Sequence, residues 1–292
     1  KKEKLIRAEK TFNGNLFDLG DELVDENLSD KVFMLLNEFL SGEYVLSSGQ
    51  KSLFELYDFN IIPVELISNI YEVLLGKILQ TKDKAFYTPI YLVDYILNHT
   101  IKPFIKFNNK CKILDPSCGS GIFLVESFRA LIEKKIGHQN YVGDDVELNE
   151  LLIESIYGID INEEAIDVSI FSLYLTILDY KDPKTLVGFK LPDLKGKNLI
   201  VNDFFEEELK EKLINIDFDF IIGNPPWGNI KNGPHVKYCE EKKKPQLNNE
   251  ISRSFIYKVE EFCSSKTICC FVLPSKLFYN KKNKAIESRK LI

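Results

Sequence analysis

The stretch Asp115-Pro116-Ser117-Cys118-Gly119-Ser120-Gly121 decides the fold, because it lies between a short apolar run and an amphipathic segment. The apolar run from Lys112 to Leu114 predicts a buried strand, and residues 120–134 predict a helix. A strand that passes through a glycine-containing loop into a helix is the first half of a parallel β-α-β unit. Because Gly119 and Gly121 lack Cβ, backbone at this loop can approach a ligand closely.

Short apolar runs alternate with helical patterns from Phe86 onward, which is typical of a parallel sheet with crossover helices. Further strands are predicted at residues 156–161, 199–202, 218–222 and 267–273. Further helices are predicted at residues 91–99 and 163–178. The polar segments 137–149 and 181–197 are predicted to be surface excursions. We therefore predict the fold class α/β, with a Rossmann-like sheet in a domain of residues 86–292.

Residues 1–85 show no clear strand alternation and are predicted to form a small helical domain ahead of the sheet. Apolar residues recur at helical spacing from Leu16 to Leu40, and again from Val64 to Leu79. Pro63 stands where the first turn of the second helix is expected, a position that proline favours.

The chain of 292 residues is 45% hydrophobic, enough for one large or two modest domains with real cores. It contains no apolar run long enough to span a bilayer, and its charged start lacks the apolar core of a signal peptide. The six cysteines form no CxxC pair and the three histidines are too few for an obvious zinc site, so no metal site is expected. We predict a cytoplasmic protein with reduced thiols and no membrane partner.

The formal net charge of −6 bears on any interaction with nucleic acid. A self-sufficient DNA-binding protein usually carries a basic footprint. If DNA is the substrate, the positive charge is either concentrated locally or supplied by other parts of a complex. The segment from Lys231 to Lys244 is a local concentration, with five Lys and two Glu. Its position makes phosphate contact one hypothesis, and a solvated mobile loop is the other.

The loop after the first strand has the features of a site for a zwitterion. Free N–H groups and the positive dipole at the start of the following helix attract a carboxylate. Asp115, at the carboxyl end of the strand, can accept from an ammonium group. The methionine end of S-adenosylmethionine carries both groups. The loop lacks the Lys-Ser/Thr of a P-loop and the third glycine of a dinucleotide fingerprint. A tight turn without a ligand is the alternative.

Acidic residues end the next two predicted strands. Asp160 stands where doubly wound sheets place an acid that reaches a ribose hydroxyl, and the alternative is an N-cap for the next helix. Asp203 and Phe204 follow the third strand, where the carboxylate can accept from the adenine amine of a cofactor and the ring can stack on it. A strand end with a core phenylalanine is the alternative, and these residues alone favour it.

Asn224-Pro225-Pro226-Trp227 is the sharpest indication of chemistry, because it closely follows an apolar run that ends at Ile222. The prolines fix φ and remove two N–H donors, so the turn presents only acceptors. The Asn224 side-chain oxygen and the Pro225 carbonyl can take both N–H bonds of an aromatic amine. Trp227, the single tryptophan of the chain, offers a stacking face for an extruded base. A rigid loop with a buried indole is the alternative.

In this order the motifs resemble those of the gamma class of N6-adenine DNA methyltransferases, over residues 55–292. The likeness is greatest to type I modification subunits and to fused restriction-modification enzymes of the Eco57I-like family. The resemblance implies that the cofactor is bound by Tyr87, Thr88, Pro89, Asp115, Pro116, Ser117, Gly119, Gly121, Phe123, Asp160, Ile161, Asp203 and Phe204. It implies that the catalytic residues are Asn224, Pro225, Pro226 and Trp227.

The same resemblance implies an activity and its partners. S-adenosylmethionine donates a methyl group to N6 of adenine, which is flipped out of double-stranded DNA, within a restriction-modification or related defence system. Methylation of an RNA adenine or of a protein glutamine amide is the enzymatic alternative, and a non-catalytic scaffold is the other. Because the chain stops shortly after Pro274, near the sixth motif of the family, we expect further strands and a target recognition domain or specificity subunit outside it.

Overall fold

The computed structural model describes residues 88–137, 145–182, 185, 189–246, 248–279, 283 and 286. The predicted helical domain of residues 1–85, and Tyr87 after it, lie outside the described residues. None of the described helices has both the length and the apolar character that crossing a membrane requires.

Helices and strands alternate along the described chain. Two helices precede the first strand, α1 (Ile90–His99) and α2 (Ile101–Ile105). They are followed by β1 (Ile113–Asp115), α3 (Ile122–Ile136), α4 (Asp145–Ser155), β2 (Ile156–Asp160), α5 (Glu163–Tyr180), β3 (Leu199–Val201), α6 (Glu207–Leu213), β4 (Phe220–Gly223), α7 (Pro234–Glu241), α8 (Ile251–Val259), a 3₁₀ turn (Glu260–Phe262), β5 (Ile268–Phe271) and α9 (Lys276–Tyr279).

The described strands form one parallel sheet with the order β3-β2-β1-β4-β5. In its centre, Ile113 of β1 is in register with Ile156 of β2 and with Phe220 of β4. The chain adds strands to one side as far as β3 and then returns to the other side of β1. Such a reversal is the point at which doubly wound sheets bind ligands, beyond the carboxyl ends of the strands. The prediction of a Rossmann-like parallel sheet is confirmed.

Helices cover both faces of the sheet, so strand residues alternate between two apolar cores. Ile113, Phe220 and Ile222 face the larger core, which includes residues of α1, α3 and α5. Leu114 and Ile221 face the second core, which includes residues of α6 and α8. Because both faces of the sheet are buried, each strand is a short continuous apolar run. These runs are the pattern from which the strands were predicted.

Several helices were not predicted. The segment 137–149, expected to be a surface excursion, includes the start of α4, whose Leu148 and Leu152 are fully buried. The segment 231–244, for which a loop was one interpretation, contains α7. The helices α6 and α8 were also missed. Short helices show too few turns for a helical period to stand out from a polar connection.

Candidate active site

The carboxyl ends of four strands bring the predicted site residues to one edge of the sheet. Asp115 ends β1 and Asp160 ends β2, while Asp203 and Asn224 come just after β3 and β4. Because all these strands are parallel, the four residues share the edge at which doubly wound sheets form ligand sites.

The glycine loop is shaped by its two glycines in different ways. Gly119 and Gly121 both have positive φ, +53° and +87°. A Cβ built on Gly121 would lie 2.6 Å from the Ser169 Oγ of α5, so this glycine is required for packing. A Cβ built on Gly119 would have no described heavy atom within 4 Å. The loop is therefore closed toward α5 at Gly121 and open at Gly119, where a ligand has room.

Asp160 supports this loop from the neighbouring strand. Its carboxylate accepts the N–H of Gly119 at 2.8 Å and the N–H of Asn162 at 2.9 Å. The N-cap of α5 is Asn162, whose side chain accepts from the N–H of Ala165 at 3.0 Å. The alternative of Asp160 as the helix cap is therefore wrong. The ribose contact of Asp160 stays a prediction.

Asp115 is a buried acid between the two motifs. It is 1% exposed, and its Oδ1 accepts the N–H of Ser117 at 3.0 Å. Burial raises the pKa of Asp115 to about 8, and the negative charge of Asp160 adds to the increase while the Ser117 hydrogen bond opposes it. A Cβ built on Gly223 would lie 2.4 Å from the Asp115 Oδ1, so the carboxyl group lies directly against the end of β4.

The described residues fit the methionine end of S-adenosylmethionine. The Ser117 Oγ is buried with no hydrogen-bond partner among them, and α3 begins without a side-chain cap there. An unpaired buried hydroxyl and uncapped helix N–H groups suit a carboxylate. An ammonium group beside Asp115 would offset the charge that burial disfavours. Ile161 is 68% exposed at the end of β2, where an apolar side chain can cover a purine.

Two of the predicted cofactor-binding residues lie with their side chains in the cores. Phe123 is 1% exposed in the first turn of α3, so its backbone is the part that faces the loop. Phe204 is 3% exposed and stacks on Phe255 and Phe262, with ring centroids 5.0 and 5.3 Å apart. The N–H of Phe205 donates to the Asp203 Oδ1 at 2.9 Å, as in an ordinary strand-end turn. The cofactor contacts of these residues stay predictions.

Asn224 is connected to the segment that precedes the sheet. Its Nδ2 donates to the Oγ1 of Thr88 at 3.0 Å, across 136 positions of sequence. Thr88 is 5% exposed and stands before Pro89, the N-cap of α1. The motif at Thr88-Pro89 and the turn at Asn224-Pro225 are therefore in direct contact, which no local pattern in the sequence indicated.

Trp227 is half-buried, and the backbone after it is attached to the start of α8. The indole Nε1 donates to the carbonyl of Val272, just after β5, at 3.2 Å. The N–H of Ile251 donates to the carbonyl of Gly228 at 3.0 Å, and Ile230 donates in the same way to Asn249 at 3.1 Å. One edge of the indole is thus fixed, and stacking of a base on its face stays a prediction.

The basic segment 231–244 is more ordered than a solvated loop. Within α7, Lys237 pairs with Glu241 at 3.8 Å, and its side chain is 80% exposed. Lys242 lies 3.7 Å from Glu261, and Lys244 lies 3.0 Å from Glu260. These ion pairs neutralise part of the local positive charge. Contact of this segment with phosphate stays a prediction.

His235 is a site neighbour that the sequence did not indicate. It is 1% exposed, and its Nε2 lies 3.2 Å from the carbonyl of Asn249, so that nitrogen carries the hydrogen. Burial lowers the pKa of His235, while the Asn249 hydrogen bond and the charge of Asp203 oppose the decrease. A Cβ built on Gly233 would lie 2.7 Å from the ring. The ring thus anchors the start of α7 near the carboxyl end of β3.

Comparison with known proteins agrees with this arrangement. The model of the Eco57I restriction-modification methylase family matches residues 154–292. The chain is 26% identical to the type II restriction enzyme and methyltransferase RM.Eco57I of Escherichia coli, over 77% of this chain and 26% of that protein. It is 32% identical to the type II methyltransferase M.BstVI of Geobacillus stearothermophilus, over 49% of this chain and 24% of that protein. The chain spans about a quarter of the length of these curated relatives.

Among solved structures, the ATP-dependent type ISP restriction-modification enzyme LlaBIII bound to DNA is similar with a TM-score of 0.58. That likeness covers 99% of this chain and 22% of the other, at 16% identity, and concerns the fold. Over residues 154–292 and in its curated relatives, the chain is thus similar to Eco57I-type methyltransferases of restriction-modification systems.

Proposed function

We propose that this protein transfers a methyl group from S-adenosylmethionine to N6 of adenine in double-stranded DNA, within a restriction-modification or related defence system. The observation that carries the proposal is the acceptor-only turn Asn224-Pro225-Pro226 at the end of β4, beside the glycine loop of β1. Asp115, which precedes the glycine loop, lies against Gly223, which precedes the turn. A cofactor held by the loop and an amine held by the turn would be neighbours.

The proposed chemistry is direct displacement at a methyl carbon. S-adenosylmethionine supplies that methyl group on a positively charged sulfur. The Asn224 Oδ1 and the Pro225 carbonyl accept the two N–H bonds of the amine, which leaves its lone pair free to attack. The amine loses its proton only after the new nitrogen–carbon bond has made it cationic, so no strong base is needed. Positioning and preorganised acceptors supply most of the rate.

DNA is the proposed partner because the DNA-bound enzyme LlaBIII shares the fold, and because a base must leave the duplex to reach a turn of this kind. Trp227, half-buried with one edge fixed, is the proposed stacking surface for the flipped base. Because the net charge of this chain is −6, we propose that a target recognition domain or a specificity subunit supplies much of the electrostatic attraction to DNA phosphates. We place the enzyme in the cytoplasm, where its DNA is.

The first experiment is single-molecule sequencing of host genomic DNA, with and without the full-length gene, scoring N6-methyladenine. Loss of methylation at one sequence motif on deletion would support the proposal and identify the target. An unchanged methylation map in cells that express the protein would contradict it.

A second experiment separates the acceptor classes. The purified full-length protein is incubated with methyl-labelled cofactor and with duplex DNA, RNA or protein acceptors. Label in DNA adenine is the expected result. Label in RNA or in a glutamine amide would replace the proposed substrate while keeping the chemistry. Cofactor binding without transfer to any acceptor would favour a scaffold.

A further inference from the structure

The amide group of Asn224 has two different faces. Its Oδ1 accepts hydrogen bonds and its Nδ2 donates them. On the proposed function, the Oδ1 must face the incoming amine, because two donors facing each other repel. Something must therefore hold the Nδ2 away from the amine, and in this structure the Nδ2 donates to the Thr88 Oγ1 at 3.0 Å.

Thr88 is well placed to hold it. The residue is 5% exposed and precedes Pro89, the N-cap of α1, whose carbonyl accepts the N–H of Leu92 at 2.9 Å. The helix is anchored in the main core by Val93 and Leu97, which are 0% and 1% exposed. The hydroxyl thus lies two residues before a helix that is anchored in the core.

A threonine hydroxyl can accept from the Nδ2 or donate to the Oδ1, so its presence alone does not choose the orientation of the amide. The orientation of the amide is fixed when the Thr88 hydroxyl donates its hydrogen to another acceptor. The Thr88 oxygen can then only accept a hydrogen bond, so it must face the Nδ2 of Asn224. On the proposed function, the candidate acceptor is the carboxylate of the cofactor, because the glycine loop after β1 and the turn after β4 lie at the same edge of the sheet.

We infer that Thr88 is a positioning residue for Asn224: its hydroxyl donates to the bound cofactor and accepts from the Nδ2, so cofactor binding fixes the amide with its Oδ1 toward the amine. This inference rests on the proposed function and assigns Thr88 a role beyond cofactor contact. It predicts that the cofactor product, S-adenosylhomocysteine, and DNA bind more tightly together than separately, and that Thr88 carries part of that coupling.

The test uses the full-length protein with T88V, which keeps the shape of the side chain and removes the hydroxyl, and T88S, which keeps the hydroxyl. T100V is the matched control, because the Thr100 hydroxyl donates to the carbonyl of Ile96 within α1. We expect T88V to lower kcat about 10-fold at saturating cofactor and DNA, the loss of roughly one hydrogen bond. T88S and T100V should stay within about twofold of wild type in kcat, a difference well below that of one hydrogen bond.

The second readout needs no turnover. Affinity for duplex DNA is measured with and without S-adenosylhomocysteine, and the increase should shrink in T88V and persist in T88S. A T88V enzyme with weaker product binding but normal kcat and normal coupling would overturn the inference, because Thr88 would then contact only the cofactor. Equal losses of kcat and of coupling in T88V and T88S would overturn the inference, because they would show that Thr88 acts through the packing of its methyl group. If wild type itself fails to methylate DNA, the proposed function fails, and the coupling measurement still decides the role of Thr88.

Discussion

The two halves of the site are held in different ways. The glycine loop on the β1 side is embedded in the protein: Asp115 is 1% exposed, and Gly121 lies so close to Ser169 that a Cβ has no room. Asp160 accepts from the loop backbone at Gly119. Each of these contacts is with a buried neighbour or with the adjacent strand.

The turn on the β4 side, which we propose to be catalytic, is less deeply buried. Asn224 and Trp227 are half-buried, and their side chains donate to the Thr88 Oγ1 and to the Val272 carbonyl. We therefore expect changes in the loop to disturb folding and cofactor binding, and changes in the turn to disturb DNA binding and methyl transfer. Substitutions at five positions test this comparison.

The largest effect is expected from Asn224→Ala. Removing the amide should lower kcat on the order of 10²–10³-fold, as the loss of one preorganised catalytic group does. The affinity for S-adenosylhomocysteine should stay within about twofold of wild type, because less than one hydrogen bond is at stake. Methyl-transfer assays and calorimetry measure the two quantities. Near-normal transfer would show that the turn does not hold the amine.

Asp115→Asn should weaken cofactor binding by roughly 10–100-fold, the value of a hydrogen bond to a charged group. In wild type the affinity should rise with pH up to about 8, since Asp115 must lose its proton to pair with an ammonium group. This dependence should be absent in the variant. Calorimetry from pH 6 to 9 checks both points. A wild-type affinity that does not change with pH would show that Asp115 does not pair with the ammonium group of the cofactor.

The same residue affects stability with a defined sign. In the unfolded chain Asp115 ionises near its ordinary pKa of 3.8, while in the folded protein it ionises at about 8. The unfolded state therefore binds fewer protons between these values, and the contribution of Asp115 to stability falls as pH rises through that window. The free energy of unfolding of the variant, measured by urea denaturation, should fall less steeply with pH than that of wild type.

Gly121→Ala should be less stable than wild type by about 1–2 kcal/mol of backbone strain plus about 1–3 kcal/mol of overpacking against Ser169. Gly196→Ala is the matched control, because φ is +76° there and no described heavy atom would meet the Cβ within 4 Å. The control should show the strain alone. Urea denaturation measures the free energy of unfolding of both variants. Equal losses of stability in Gly121→Ala and Gly196→Ala would mean that the loop is not packed against α5 in solution.

Gly119→Ala separates stability from ligand binding. Its φ is +53° and no described atom would meet the new Cβ, so its loss of stability should equal that of Gly196→Ala. If the open side of the loop receives the cofactor, the affinity for S-adenosylhomocysteine should fall in Gly119→Ala and not in Gly196→Ala. Unchanged affinity in both variants would place the cofactor elsewhere.

The smallest effect is expected from Trp227→Phe, which keeps an aromatic face and loses the hydrogen bond to Val272. The KM for DNA should rise only a few-fold, since a neutral hydrogen bond contributes about 1 kcal/mol. Trp227→Ala should cost more, about 1–3 kcal/mol of stacking. Quenching of the wild-type fluorescence by DNA that is absent in Trp227→Phe would report stacking on the indole. Unchanged fluorescence on binding would leave the indole a structural role.

Sequence patterns predicted those site residues that lie at or just after the end of a strand. Each strand lies between helices on both faces of the sheet, so it is a continuous apolar run, and the loop or acid after it stands out. Asp115, Asp160 and Asn224 were all found in this way. The same patterns left open whether Asp160 capped a helix, because the carboxylate of Asp160 and the side chain of Asn162 are equally suited to capping, and only the geometry distinguishes them.

The sequence by itself thus determined the parallel sheet, the order of its motifs and the residue types at its edge. Only the tertiary structure decided which groups meet: Thr88 with Asn224, Trp227 with Val272, and Asp115 with Gly223. It also decided that Phe204 lies in a core, between rings that come from α8 and the 3₁₀ turn. The physical reason is distance along the chain. A strand or turn is encoded by neighbouring residues, whereas a contact across 136 positions exists only after the strands have paired.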